Sequence, residues 1–303
     1  MQLHDQKLLA LCVQTMVHMY PFKRILFATD FSPASEAIVP HVKEMVRQNL
    51  ASLVIVHAFD PVSAMFTDPS TLVAAFPIFR QSVEKQMEKF AHQNFPDQEK
   101  ELVMTEGDPA SVISKTIERY GVDLLMMATH GEGLFRRMLL GSVTSKILHD
   151  VNCAVWTGVH ETPKGHSPAL PYKSIVCAVS SDDEAQAIWK AADSFASHHG
   201  AKLTVAHTVE MPAVSWDVDL SPMRQQMLDM AGDRLALMKN QLGVGGEVKL
   251  YEGSVSIGLQ QAVREAEADL VITGRGHAQG HFSRFISHLY AIVRDSPCPV
   301  LSI

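Results

Sequence analysis

Landmarks in the first half of the chain return in the second half, in the same order. Phe22-Lys23-Arg24-Ile25 returns as Tyr172-Lys173-Ser174-Ile175, and residues 51–57 (ASLVIVH) return as 201–207 (AKLTVAH). Glu106-Gly107 matches Glu252-Gly253, Asp123-Leu124 matches Asp269-Leu270, and Cys153-Ala154-Val155 matches Cys298-Pro299-Val300. The offset drifts from about 150 residues at the start to about 145 at the end. Chance does not preserve order and offset together, so the chain reads as two copies of one domain. With 303 residues in all, each copy has the length of an ordinary single domain.

Inside each copy, short apolar runs alternate with stretches of helical period. Residues 25–29 and 53–58 are continuous, mostly apolar runs of strand length, the pattern of strands buried on both faces. Between them, Ile38, Val39, Val42, Met45 and Val46 recur at helical spacing, which predicts one helix over 35–48. Further strands are expected at 102–104, 124–128 and 154–157, and helices at about 71–92, 110–120 and 142–149. Strands alternating with helices imply an α/β, doubly wound parallel sheet with helices on both faces, built twice. Residues 160–171 (HETPKGHSPALP) carry three prolines and a glycine without apolar period, so they read as a linker. The first domain is therefore 22–159 and the second 172–303. Residues 1–21 form an N-terminal extension; its apolar stretch at 8–13 lacks a basic leader and a small-residue cleavage site, unlike a secretory signal.

Composition narrows the function classes. With 26 Lys and Arg against 33 Asp and Glu, the net charge is -7, which argues against a nucleic-acid or anionic-membrane surface. No apolar run approaches the roughly 18 to 20 residues that span a bilayer, so a soluble, cytoplasmic protein is expected. Cys12, Cys153, Cys177 and Cys298 show no metal-ligand spacing and read as reduced core thiols.

The chemistry is expected after the fourth strand. Met126-Met127-Ala128-Thr129-His130-Gly131 is followed by nine residues and then Gly141-Ser142-Val143-Thr144, where a helix begins. Glycines let backbone N–H groups approach an anion, and a helix N-terminus is the positive end of the dipole. This is a strand-loop-helix phosphate cradle; for two isolated glycines alone, an ordinary strand-to-helix loop is the plainer reading. Asp30, at the carboxyl end of the first strand, is expected at the same crevice, because ligands of such sheets sit where the strand order reverses. Its plainer role is to cap the helix that follows, together with Ser32.

The spacing Ala128-x-x-Gly131-(nine residues)-Gly141-Ser142 resembles the ATP-binding signature of the universal stress protein family, with Ala128 where the family has its first Gly. The resemblance covers both copies, essentially residues 22 to 303, and is of the tandem type. It implies a five-stranded sheet in the order 3-2-1-4-5 in each domain, ATP bound in the first domain with or without Mg²⁺, and pairing of the two domains through their fifth strands, with a homodimer as an option. Matched residue by residue, it places Ala28, Thr29 and Asp30 at the nucleoside, Ala58 and Met127 beside the base, and Gly131, Gly141, Ser142 and Val143 at the phosphates; His130, inside the loop, is a further candidate phosphate contact from its position alone. In the second copy Ser180 stands opposite Asp30, Gly274-Arg275-Gly276-His277 replaces the cradle loop, and Ile286-Ser287 falls opposite Gly141-Ser142. That predicts a degenerate site, spoiled by a branched side chain where Gly allowed close approach. His277, His281, Arg284 and His288 form at most a weak metal pattern and read as solvated loop residues. A nucleotide-dependent regulator or scaffold is the expected function. Slow ATP hydrolysis is the enzymatic alternative, although no Walker lysine is present, and a scaffold binding no nucleotide is the third.

Overall fold

The computed structural model describes residues 21–59, 69–129, 140–159, 170–180, 184–211, 220–275 and 282–303. They belong to two units, one holding residues 22–160 and the other continuing from residue 161 to the end. Among the described residues, no helix is long and apolar enough to cross a membrane.

In the first unit, strands β1 (Arg24–Ala28), β2 (Ser52–Phe59), β3 (Lys100–Glu106), β4 (Leu124–Met127) and β5 (Ala154–Thr157) form a parallel sheet. Their spatial order is β3-β2-β1-β4-β5. Phe27 sits between Ile55 of β2 and Met126 of β4, and residues 25 to 28 are all buried. Four consecutive buried residues on a strand, whose side chains alternate in direction, mean that both faces of the sheet are covered. On one face, the Phe27 ring meets Phe90 and Phe95, each at 6.1 Å between centroids.

The helices start and stop where local chemistry says they should, with one break the periodicity alone does not show. Instead of one helix over 35–48 there are two, α1 (Pro33–Ala37) and α2 (Val39–Asn49), meeting at Ile38. Pro40 sits in the first turn of α2; it has no N–H to continue the preceding turn and its ring crowds that turn's carbonyl. The expected helix over 71–92 runs as α3 (Pro69–Asn94). The next, α4 (Pro109–Tyr120), is capped by the Asp108 carboxylate, which accepts from Ser111 N at 3.1 Å. It ends at Gly121, whose φ of 59° is the left-handed conformation a side chain disfavours. Helix α5 (Ser142–Asp150) follows β4. Strand β3 is longer than the three residues expected, because it pairs in register with β2 from Leu53 to Phe59.

The second unit repeats this architecture with β6 (Ser174–Ala178), β7 (Lys202–Val209), β8 (Glu247–Glu252), β9 (Leu270–Thr273) and β10 (Val300–Ser302), in the order β8-β7-β6-β9-β10. Its helices are α6 (Glu184–His199), α7 (Ser221–Leu242), α8 (Val255–Glu265) and α9 (Phe282–Asp295). Two sequence landmarks now have a physical cause. The Asp123 carboxylate accepts from Lys23 N at 2.7 Å and Arg24 N at 3.0 Å; Asp269 accepts from Lys173 N at 2.8 Å and Ser174 N at 3.2 Å. Each Asp pins the start of the first strand of its unit to the start of the fourth. Burial pushes both carboxyls up, and the backbone N–H bonds oppose that rise. Cys153, Cys177 and Cys298 are buried free thiols, as expected of core cysteines; Cys12 lies outside the described residues.

Candidate nucleotide-binding site

Between β1 and β4 the strand order reverses, and the crevice outside their carboxyl ends is where a parallel sheet of this kind receives ligands. In the first unit it is a cavity of about 300 Å³. The sequence-predicted Ala28, Thr29, Asp30, Ala58, Met127, Gly141, Ser142 and Val143 all line it. His130 and Gly131 lie outside the described residues. Pro109, Ile113 and Ser35, which the sequence did not single out, also line it, as do Thr129 and Thr144, which belong to the strand-loop-helix stretch without a role of their own there. In the sequence Ile113 reads as an ordinary helix residue and Pro109 as part of the stop after the third strand; only the packing of α4 against β1 and β2 brings them to the crevice.

Asp30 is held by its neighbours. Its Oδ1 accepts from Ser32 N at 3.0 Å, Ser32 Oγ at 2.6 Å and Ser35 Oγ at 2.5 Å. The helix cap is Ser32, whose Oγ accepts from Ser35 N, so Asp30 itself is not the cap. Burial pushes the Asp30 carboxyl up, but the two hydroxyls and the Ser32 N–H more than offset it, leaving it below its usual range and ionised. Since the three bonds all enter Oδ1, Oδ2 can accept from a ligand hydroxyl or amine. The turn is completed by Phe31 at φ 60°. Its N–H donates to Thr29 Oγ1 at 3.0 Å, and its ring lies 4.3 Å from that of His57 and 5.4 Å from that of Phe90.

His57 has a structural role. Its Nδ1 lies 2.8 Å from the Thr29 carbonyl, and because a carbonyl only accepts, Nδ1 carries the proton. His207 makes the same bond to the Val179 carbonyl at 2.9 Å. The repeated histidine thus ties the end of the second strand to the end of the first in both units. Burial lowers the His57 pKa, while the Thr29 carbonyl and the Asp30 charge oppose the shift.

The far side of the crevice is the first turn of α5. Gly141 caps it with φ −57° and ψ 143°, angles any residue can adopt, so freedom of rotation is not what Gly supplies here. Space is. A Cβ on Gly141 would sit 2.9 Å from the Thr129 carbonyl oxygen. That oxygen also accepts from Thr144 Oγ1 at 3.0 Å and Gly141 N at 3.4 Å, which staples the helix start to the end of β4. The Gly141 N–H is therefore turned toward the protein. No side chain caps this helix, and the first intrahelical bond runs from Ser145 N to Gly141 O. The N–H groups of Ser142, Val143 and Thr144 are the orphan donors of the first turn, at the positive end of the helix dipole. An ionised carboxylate on one wall and a helix N-terminus on the other suit a ligand with hydroxyls at one end and phosphate at the other.

The corresponding crevice of the second unit is lined by Ala178, Val179, Ser180 and His207 from strand ends, Val255 and Leu259 from α8, and His288 and Ile292 from α9, among others. Among the described residues it shows no counterpart of the α5 cradle at the matching position, for a backbone reason. The described span of helix α9 is Phe282–Asp295, so Ile286 lies at least a full turn inside the helix, whereas Gly141 stands at the helix cap. Inside a helix a backbone N–H bonds to the carbonyl four residues back and is not offered to an anion. Among the described residues, no group of three or more His, Cys, Asp or Glu is placed to hold a metal ion.

A doubly wound parallel sheet with a crevice at the reversal of strand order, built twice and flanked in the first unit by an Asp-Phe-Ser turn and a Gly-Ser helix start, defines a tandem α/β protein. The model of the universal stress protein family matches residues 21–157 and again 171–303, and the chain belongs to that family. Single-domain relatives each match one copy. A universal stress protein of Methanocaldococcus jannaschii is 27% identical over 147 residues, covering 43% of this chain and 91% of the relative. Universal stress protein A homolog 1 of Coxiella burnetii is 29% identical over 143 residues, covering 45% and 96%. Among solved structures, a universal stress protein from Archaeoglobus fulgidus shares the fold over 92% of this chain and 97% of its own, with a TM-score of 0.66 at 19% identity. A further one from Pseudomonas aeruginosa covers 94% of both chains, with a TM-score of 0.63 at 14% identity.

Proposed function

We propose that the first unit binds one adenine nucleotide, ATP, and that the protein is a nucleotide-dependent regulator or scaffold of a stress response in the cytoplasm. The observation that carries this reading is the convergence of Asp30 and Ser142–Val143, over a hundred residues apart in the chain, on one 300 Å³ crevice. In it, Asp30 accepts from the ribose hydroxyls, the strand ends at Ala28, Ala58 and Met127 flank the base, and the first turn of α5 holds the phosphates. Ser142 adds its hydroxyl, and Mg²⁺ is carried by the phosphates themselves. Binding shifts a conformational or partner equilibrium rather than driving rapid chemistry; pairing of the two units and of two chains belongs to the same proposal.

Calorimetry with ATP and Mg²⁺ on the whole chain tests it. One ATP per chain is expected, with affinity falling about 30-fold in Asp30→Ala, because a carboxylate hydrogen bond of about 2 kcal/mol is lost. Absence of binding by the parent protein sinks the nucleotide reading and leaves a scaffold.

A further inference from the structure

We propose that β3 is a docking edge for a second copy of this chain, which lays its own β3 antiparallel against it across a two-fold axis at Val103. Among the described residues, β3 has one neighbour in the sheet, β2, and its other edge is bare. None of its residues is buried, and Glu101, Leu102, Thr105 and Glu106 are exposed, Leu102 by 41%. Gly107, the next residue, donates its N–H toward β2, to Phe59 O at 3.1 Å. Backbone direction alternates along a strand and the register with β2 is unbroken, so Glu101, Val103 and Thr105 also turn N–H and C=O toward β2. Lys100, Leu102, Met104 and Glu106 turn theirs outward. Such an edge, with no proline in it, is a template for another strand.

Charge complementarity singles out a second copy as the occupant. The strand reads Lys-Glu-Leu-Val-Met-Thr-Glu, with Lys100 at one end and Glu106 at the other. Turned antiparallel about Val103, Lys100 comes opposite Glu106, Glu101 opposite Thr105 and Leu102 opposite Met104, each pair repeated by the two-fold. Outward-turned residues then face outward-turned residues and exchange N–H···O bonds, with apolar pairs at the centre and opposite charges at the ends. Lys100 Nζ already donates to the carbonyls of Phe95 at 2.6 Å and Gln98 at 3.1 Å, which leaves its third N–H for the carboxylate. A slide of two residues, the smallest that keeps outward groups opposed, breaks both charged pairs. On the face toward α4, Val103 and Thr105 line a groove of about 360 Å³ together with Lys115 and Arg119. Glu101 of the second copy arrives opposite Thr105, beside that basic wall. Strand β8, at the same place in the second unit, lacks the pattern. Gly253 N donates to Val209 O, so Val248, Leu250 and Glu252 turn outward. Centred on Lys249, self-pairing of β8 sets two lysines face to face; centred on Leu250, it brings no opposite charges together.

The pairing of two chains thereby gains a surface, and it does not rest on nucleotide binding: a chain that binds ATP yet stays monomeric overturns only this inference. Sedimentation equilibrium on the whole chain, to about 100 µM, where even a small interface is populated, compares the parent with Lys100→Glu, Glu106→Lys and the double exchange, and circular dichroism checks each fold. A dimer is expected in the parent. Its Kd should rise at least about 10-fold in either single variant, where like charges meet at both ends, and return to within about threefold of the parent in the double exchange, which restores opposite charges in the same register. Hydrogen exchange gives a second readout. The amides of Leu102 and Met104 should gain protection as concentration rises, while those of Val103 and Thr105, already bonded to β2, should not change. A monomeric parent overturns the proposal, as does a dimer indifferent to Glu106→Lys or a double exchange no tighter than the single variants. Should Lys100→Glu fail to fold, Glu106→Lys and the exchange pattern decide, since Glu106 is exposed: protection of Leu102 and Met104 that ignores concentration refutes the pairing.

Discussion

Replacing Gly141 by Ala is the most revealing single perturbation. The new methyl must sit 2.9 Å from the Thr129 carbonyl oxygen, where ordinary contact begins at 3.4 Å. Relief therefore requires about 0.5 Å of movement. The neighbour is backbone two residues past β4 and not the far end of a flexible side chain, so the turn itself has to shift. That motion weakens the Gly141–Thr129 bond at 3.4 Å and strains the Thr144–Thr129 bond at 3.0 Å, which destabilises the fold by about 1 kcal/mol. It also misplaces the Ser142 and Val143 N–H groups. Misaligning the equivalent of one hydrogen bond to a charged group costs about 2 kcal/mol, or roughly 30-fold in Kd. The assay is ATP calorimetry with Mg²⁺, beside a thermal melt that shows the variant folded. A folded Gly141→Ala variant that binds ATP within about twofold of the parent refutes the reasoning, for it would mean that the phosphates do not rest on this turn.

Two further outcomes follow from groups outside the crevice. Asp123→Ala removes the acceptor of two backbone N–H bonds and should destabilise the chain by about 2 to 3 kcal/mol, read as a lowered denaturant midpoint in chemical unfolding; a change under about 0.5 kcal/mol would show that the clamp is incidental. His41 is 7% exposed and lies 4.9 Å from the Trp156 ring, and burial pushes its pKa down to about 4. The folded state therefore refuses a proton that the unfolded chain accepts near pH 6.5. The stability this represents is present above pH 6.5 and is lost as pH falls toward 4, on the order of 3 kcal/mol. Urea unfolding at a series of pH values should show that slope flattened in His41→Leu, and an identical slope in the variant would assign it to other groups.

Much of this molecule was legible because repeated landmarks coincide with physical necessities. Asp123 and Asp269 recur since each unit needs its first strand tied to its fourth, and His57 and His207 recur since each ties the second strand to the first. Helix limits were legible where a cap or a left-handed Gly stood, as at Asp108 and Gly121. They failed at Ile38, because hydrophobic period counts faces and not the N–H missing from Pro40. In the site, Asp30 and Gly141–Val143 were named from motif spacing, but the reasons differ from those the motif suggests. Asp30 is oriented by Ser35, one turn into the next helix, and Gly141 is needed for its distance from Thr129.

The sequence by itself determined the two copies, the alternation of buried strands with helices, and the residue types available at each crevice, since periodicity and local chemistry act over a few residues. Only the tertiary structure decided which of them meet. Whether a given residue offers its N–H to a crevice depends on its place in the helix that follows β4 or β9: Gly141 stands at the cap, Ile286 at least a turn inside. That placement is set by packing between segments far apart in the chain, and no local pattern contains it.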